Sequence, residues 1–210
     1  MLAVAEEHMA VSRQGGKRWR WIWAHKGDAL RSAVLSRRGY RRGEHPEYQR
    51  RRSLSAPIPD FPLAEGYTVR SLGDVEELSA RSWASWRAFH SDEPDDRHQG
   101  WAWYANVQRA PLYCRDLDLV AVAPDSEIVS FCTIWFDDVT RTGAREPVGT
   151  VPEHQRRGLA RAVMAEGLRR LQRMGATLGT VGSFKAPAHA LYAMVGFTDY
   201  DLSEPWAKEM

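Results

Sequence analysis

Cysteine is scarce in this chain: Cys114 and Cys132 are the only two among 210 residues. They lack a metal-ligand spacing, and a disulfide between them is possible but unsupported, so neither a disulfide scaffold nor a cysteine metal centre is expected. Long hydrophobic runs are missing too. No stretch approaches the roughly 18 apolar residues that a membrane span requires, so no membrane partner is expected. Glu6, Glu7 and His8 stand where a signal peptide would need its apolar stretch, and a reducing cytoplasm is the expected location. No phosphate-cradling P-loop occurs, which sets aside the nucleotide hydrolases of that class.

What is present is an ordinary globular composition, 43% hydrophobic and 27% charged, long enough for one good core. The net charge of +2 hides an asymmetry: residues 1–60 carry 13 Lys/Arg against 6 Asp/Glu, or +7, which leaves −5 for the remainder. A basic block can signify nucleic acid, but no reading helix accompanies it, and nucleic acid is not an expected partner. The acidic balance of the rest suits a cationic amine.

The most informative stretch runs from Val148 to Arg161. VGTV reads as a strand stopped by Pro152; QRRG makes a tight turn, and Leu159, Ala160, Val163, Met164, Leu168 and Leu171 recur at helical spacing. Gly158 lets the backbone turn closely. Leu159 to Arg161 then open the helix with unpaired amides, and such amides, backed by the helix dipole, bind phosphate.

Gln155-x-x-Gly158-x-Ala160 after Val-Pro resembles the acetyl-CoA pyrophosphate signature of the GNAT superfamily of N-acetyltransferases. A second mark follows one helix and one strand later, in Ala188-x-x-Leu191-Tyr192-x-x-x-Gly196-Phe197. The resemblance covers about residues 60–210. It departs at Lys185, where the family often has Asn. It implies an α/β fold, a GNAT-like mixed central sheet flanked by helices on both faces. It implies acetyl-CoA as cosubstrate and a primary amine of a small molecule or peptide as acceptor.

The resemblance also assigns the site. Val148, Gly149 and Thr150 would pair with the pantetheine arm. The backbone of Arg156, Arg157, Gly158, Leu159, Ala160 and Arg161 would hold the pyrophosphate, with Lys185 toward a CoA phosphate. Tyr192 would give a proton to the departing thiolate. An ammonium has no lone pair to attack with, so a base must deprotonate the amine. Glu146 is the candidate: strict alternation puts it on the face of Val148 and Thr150, although Pro147 can break that alternation with a bulge. His189, Asp137, Asp138 and Glu204 are the alternative bases. A competing reading is a non-catalytic acyl-CoA-binding or interaction protein on the same scaffold.

From Tyr67 onward the expected order is strand, helices over 74–89 and 101–109, strands over 117–123, 128–136 and 145–151, the signature helix, a strand over 177–183 and a helix over 187–195. Trp83, Trp86, Trp101 and Trp103 fall at amphipathic spacing and are expected in the core, some of them bordering the acceptor cleft with the acidic loop 92–96. Two domains are expected, 1–56 and 57–210, joined by a linker over Ser53–Pro62 with prolines at 57, 59 and 62. The first part reads as helix (3–14), strand (19–23, tryptophans on one face), helix (28–38) and two short strands. Setting Gly39-Tyr40 on Gly196-Phe197 places Leu35 opposite Tyr192, which suggests a partial, degenerate second lobe without a CoA site. Too small to be stable alone, it would dock on the main lobe or pair with its copy in a homodimer.

Overall fold

The structure, a computed structural model, describes residues 4, 6, 11, 12 and 16–210. Along the chain the elements are β1 (Val11–Ser12), β2 (Arg18–His25), α1 (Ala29–Arg37), β3 (Arg41–Arg42), β4 (Glu47–Ser53), β5 (Thr68–Ser71), α2 (Leu78–Phe89), α3 (Ala102–Gln108), β6 (Asp118–Val122), β7 (Ile128–Asp137), β8 (Thr142–Thr150), α4 (Leu159–Arg173), β9 (Leu178–Ser183), α5 (Ala186–Met194) and β10 (Asp199–Glu209). This is the mixed α/β fold the sequence predicts. Two units form: Arg51–Val181 with Pro187–Asp199, and Met1–Arg50 with Gly182–Ala186 and Tyr200–Met210. The unit boundaries therefore fall inside β4, β9, α5 and β10, and all of β10 but Asp199, beyond the last element the pattern predicts, belongs with the N-terminal residues.

In the larger unit β5, β6, β7 and β8 are antiparallel neighbours, and β9 runs parallel to β8. Side chains of β7 alternate between two helical layers, as strand geometry requires. Phe131 and Thr133 meet Arg81 of α2, while Ile134 lies where α4 comes closest, beside Gly167. α4 buries Leu159, Val163, Met164, Leu168 and Leu171 along one stripe, and on its polar side Glu166 pairs with Arg170 one turn later at 2.9 Å. These residues join one core with Leu119, Val120, Phe131 and Phe197. The proline-rich segment after β4 is pinned rather than loose. Arg52 donates to the carbonyls of Val195, Ala56 (3.2 Å) and Pro57 (3.0 Å), while Ile58 and Phe61 pack on the core.

In the smaller unit β2 pairs antiparallel with β10, Ile22 opposite Trp206, and β3 lies along the other side of β10. Asp28 caps α1 by accepting from the Arg31 amide at 2.8 Å, as its position before the helix predicts. The buried residues are Ala24, Leu35, Tyr40 and Trp206, with Ile22 against them. The core face of β2 is thus Ile22 and Ala24, not the tryptophans. Trp19 and Trp21 stack at 5.9 Å, and Trp23 remains 42% exposed beside Phe184. The alternation favours the tryptophan face, because Arg18 and Arg20 share the other with Ile22 and Ala24, yet it is Ile22 and Ala24 that meet the partner elements. The helix expected over 3–14 falls mostly outside the described residues; Val4 and Glu6 are helical, whereas Val11–Ser12 pair with Trp19 and Arg18.

The ends of α1 and α5 are built alike. Each helix closes on a left-handed glycine, Gly39 or Gly196, whose amide returns to Ser36 or Ala193. The next residue, Tyr40 or Phe197, is buried and bonds back to Leu35 at 3.0 Å or Tyr192 at 2.9 Å.

Candidate active site

β8 changes partners midway. Its parallel register with β9 runs from Thr142↔Leu178 to Arg145↔Val181. On its other side it pairs with β7, but the register shifts: Ile134 faces Arg145, while Cys132 faces Val148. Glu146 and Pro147, joined by a cis peptide, form that bulge. Past it Val148, Gly149 and Thr150 continue against β7 alone among the described pairs. Gly149 has no room for a side chain, since a Cβ there would come within 2.4 Å of Phe131 Cζ. The bulge also breaks the alternation that tied Glu146 to the face of Val148.

The turn that follows is strained and braced. Arg156 and Gly158 both have positive φ, 62° and 81°. For arginine that conformation costs about 1 kcal/mol, held here by the structure around it. Gln155 Nε2 donates to the carbonyl of Thr150 at 3.2 Å and ties the turn to the end of β8. In α4 the first amide to pair is that of Ala162, with Gly158 O at 3.1 Å. The amides of Leu159, Ala160 and Arg161 therefore point out of the helix N-terminus with no intrahelical partner.

These pieces line one cleft of about 620 Å³. Val148, Gly149, Thr150, Arg156, Gly158, Leu159, Ala160, Arg161 and Tyr192, all expected at the site, contribute to it. Three expected residues do not line it. Arg157 turns to Tyr67, donating to its hydroxyl at 3.0 Å. Glu146 is exposed, with its carbonyl accepting from Trp135 Nε1 at 2.7 Å. Lys185 is exposed and belongs to the smaller unit. Of the alternative bases, Asp137 accepts from Val139 N and Thr140 Oγ1 in a turn, and Glu204 pairs with Arg42 at 3.3 Å in the smaller unit.

The cleft also holds residues the sequence did not single out. Ala88 and Phe89 come from the end of α2, Pro187 and Met194 from α5, and His154 from the turn. His154 Nδ1 lies 2.9 Å from the Tyr67 hydroxyl that also meets Arg157, so one phenol braces the chain just before the QRRG turn and again within it. A signal for Phe89 existed, the apolar stripe of α2; none existed for His154.

Tyr192 is 7% exposed and packs edge-on against Phe197, ring centroids 6.5 Å apart. Burial pushes its phenol up to about 12, and the Arg145 guanidinium opposes that rise. The hydroxyl thus keeps its proton at neutral pH and can donate it.

The tryptophans of α2 and α3 are less buried than their spacing predicts. Trp101 and Trp103 are 40% and 43% exposed. Trp83 and Trp86 line a recess of about 480 Å³ with Glu93, Asp95 and Glu153. Arg87 and Glu153 of that recess are each followed in the chain by a residue of the cleft, Ala88 and His154.

Residues 75–197 match the Acetyltransferase (GNAT) family. Over 187 residues the chain is 33% identical to a mycothiol acetyltransferase of Salinispora arenicola, covering 83% of this chain and 58% of that protein. It is 27% identical over 195 residues to the mycothiol acetyltransferase of Paenarthrobacter aurescens, covering 85% and 57%. The chain thus spans less than two thirds of the length of these relatives. Among solved structures, a GCN5-related N-acetyltransferase from Sphaerobacter thermophilus superposes with a TM-score of 0.73 at 21% identity, covering 92% of this chain and 60% of the other. A tandem GNAT protein from the clavulanic acid biosynthesis pathway gives 0.68 at 16% identity, covering 99% and 66%. With the split strand, the glycine turn and the family match in agreement, the chain belongs to the GNAT family of N-acetyltransferases.

Proposed function

We propose that this chain transfers the acetyl group of acetyl-CoA to a primary amine of a small molecule or peptide. The observation that carries this reading is the cleft: one wall is the stretch of β8 freed from β9, one end is the open N-terminus of α4, and the facing wall holds Tyr192. An extended amide-bearing arm would lie along Val148–Thr150, and a diphosphate would meet the amides of Leu159 to Arg161 with the arginines around them. The acceptor nitrogen then attacks the thioester carbon, the C–S bond breaks, and Tyr192 protonates the sulfur. Glu146, directly or through water, accepts the proton lost by the amine. The aromatic and acidic recess beside the cleft favours a cationic acceptor.

The deciding experiment is acceptor-stimulated thiol release from acetyl-CoA over a panel of amines: a polyamine, an aminoglycoside, an N-terminal peptide and, because the curated relatives are named for mycothiol, a mycothiol-related amine. Binding of acetyl-CoA with no stimulation by any of them would count for a scaffold role. Two substitutions separate the chemical roles. Tyr192→Phe lowers kcat by about a hundredfold while KM for acetyl-CoA stays within about twofold, because only the departing thiolate loses its donor. Glu146→Gln slows transfer most at low pH, where the amine arrives protonated and a base is needed, and least above the pKa of the amine. An unchanged pH–rate profile in Glu146→Gln would assign the base elsewhere.

A further inference from the structure

Arg145 occupies the last parallel-paired position of β8 and is 3% exposed. A guanidinium is costly to bury unless a carboxylate or a full set of acceptors surrounds it. Arg145 has neither. Nη1 donates to Gly143 O at 3.2 Å, while Nε and Nη2 have no partner among the described residues. The ionisable groups that bear on it are Cys132, Arg52 and Tyr192, none of them a carboxylate. The Cys132 thiol is pushed up to about 12 by burial and so is neutral, and Arg52 carries the same sign.

The fold nevertheless makes room for this cation. Its guanidinium lies 4.8 Å from the centre of the Phe197 ring, the ring that Tyr192 also packs against. On β9, Gly179 is bare where a Cβ would come within 2.8 Å of Nη1 and 3.4 Å of Nη2. The other buried arginines of this unit are differently placed. Arg81 also leaves Nε and Nη1 without a partner among the described residues, but it shares Thr133 Oγ1 with the carboxylate of Asp118, whereas Arg52 spends its donors on three carbonyls outside its own residue. A charge without a carboxylate partner, kept in a core against the same ring as a reacting phenol, is what electrostatic preorganisation requires: the charge is fixed before the anion appears.

We propose that Arg145 is a positioning residue for acetyl transfer, its guanidinium beside Phe197, with no carboxylate partner among the described residues, stabilising the negative charge that Tyr192 takes on as it gives its proton to the departing sulfur. The proposal rests on the reading of Tyr192 as proton donor. In the step, the nucleophile bonds to the thioester carbon and the C–S pair moves to sulfur. Sulfur takes the Tyr192 hydroxyl proton, and the O–H pair stays on Tyr192 as a phenolate. The proton released by the nucleophile restores the phenol through solvent. Arg145 moves no proton; it makes the phenolate less costly, in the direction its charge already draws the phenol against burial.

The test is thiol release from acetyl-CoA to water, which breaks the same C–S bond and needs no identified acceptor. Arg145→Met should lower kcat by about tenfold or more with KM for acetyl-CoA unchanged. It should melt no lower than wild type, since the variant removes a buried charge with no carboxylate partner among the described residues. Arg145→Lys should keep most of the rate. In the double variant with Tyr192→Phe, Arg145→Met should add no further loss, as expected for two residues acting on one event. Wild-type kcat in Arg145→Met overturns the proposal, as does a loss that multiplies with that of Tyr192→Phe. So does a lowered melting temperature with no recovery of rate in Arg145→Lys. If Tyr192→Phe itself releases thiol at the wild-type rate, the proposal and the reading beneath it fall together; if only the Arg145 variants do, the Tyr192 reading stands alone.

Discussion

Gly158→Asp is expected to weaken acetyl-CoA binding by about a thousandfold, or about 4 kcal/mol. Three effects add. Gly158 has φ +81°, a conformation that costs any residue with a Cβ about 1 kcal/mol. A new side chain would stand over the α4 amides, removing charge-assisted bonds that contribute about 1.5–3 kcal/mol each. Its carboxylate would face the diphosphate, and it would also engage Arg161, whose Nη2 lies 3.2 Å from where the new Cβ would be. Two like charges about 4 Å apart near a surface repel by up to about 4 kcal/mol before salt screening. Gly158→Ala, which adds the strain without the charge, should lose only about fivefold to tenfold. Calorimetric titration of acetyl-CoA into both folded variants decides it. Equal affinities for the Asp and Ala variants would mean that the diphosphate does not sit at this turn.

The turn was legible in the sequence because its chemistry is local. A glycine needed for backbone geometry, a small residue two positions on and a helical stripe after them all lie within one short segment, and backbone amides require no distant partner. The same holds for α4, whose apolar spacing gives its core face directly. Glu146 shows where local reading stops. Alternation along β8 depends on its pairing with β7, and the two-residue bulge opposite Thr133 resets it. Pro147 flags the irregularity in the sequence but not its consequence for the side chain beside it.

Features that depend on what lies across the fold were not legible. Arg145 reads as one more charged residue in a strand; its burial follows from Gly179 on β9 and Phe197 after α5, far away in the chain. His154 enters the cleft through a bond to Tyr67, 87 residues earlier. The tryptophans of β2 look like a core face because tryptophan is large and apolar, yet Ile22 and Ala24 meet Trp206 on β10, a strand the sequence pattern did not delimit. In each case the deciding partner is on another element, and no spacing within the segment encodes it.

Asp118→Asn should destabilise the larger unit by about 3–5 kcal/mol, the cost of leaving a buried charge without its counterion. Asp118 is fully buried at the start of β6. Its carboxylate accepts from the Tyr104 hydroxyl at 2.8 and 3.0 Å, the Thr133 hydroxyl at 3.0 Å and the Tyr113 hydroxyl at 2.9 Å. Thr133 Oγ1 in turn accepts from Arg81 at 3.3 Å, and the Arg81 guanidinium lies over Phe131 at 3.7 Å and Tyr104 at 4.8 Å. The network therefore ties α2, α3, β6 and β7 around one buried positive and one buried negative charge. Asparagine keeps the volume but puts an NH2 donor among hydroxyl donors, and it leaves Arg81, which is 0% exposed, uncompensated. Tyr113→Phe, which removes one donor from the rim, should cost only about 1 kcal/mol. Adding Arg81→Met to Asp118→Asn should restore part of the loss, because the orphaned charge leaves with it. Urea unfolding of the four proteins gives the comparison. If Asp118→Asn unfolds within about 1 kcal/mol of wild type, the Arg81 charge is being neutralised by something other than this carboxylate, and the pairing across Thr133 is not what holds α2 to the sheet.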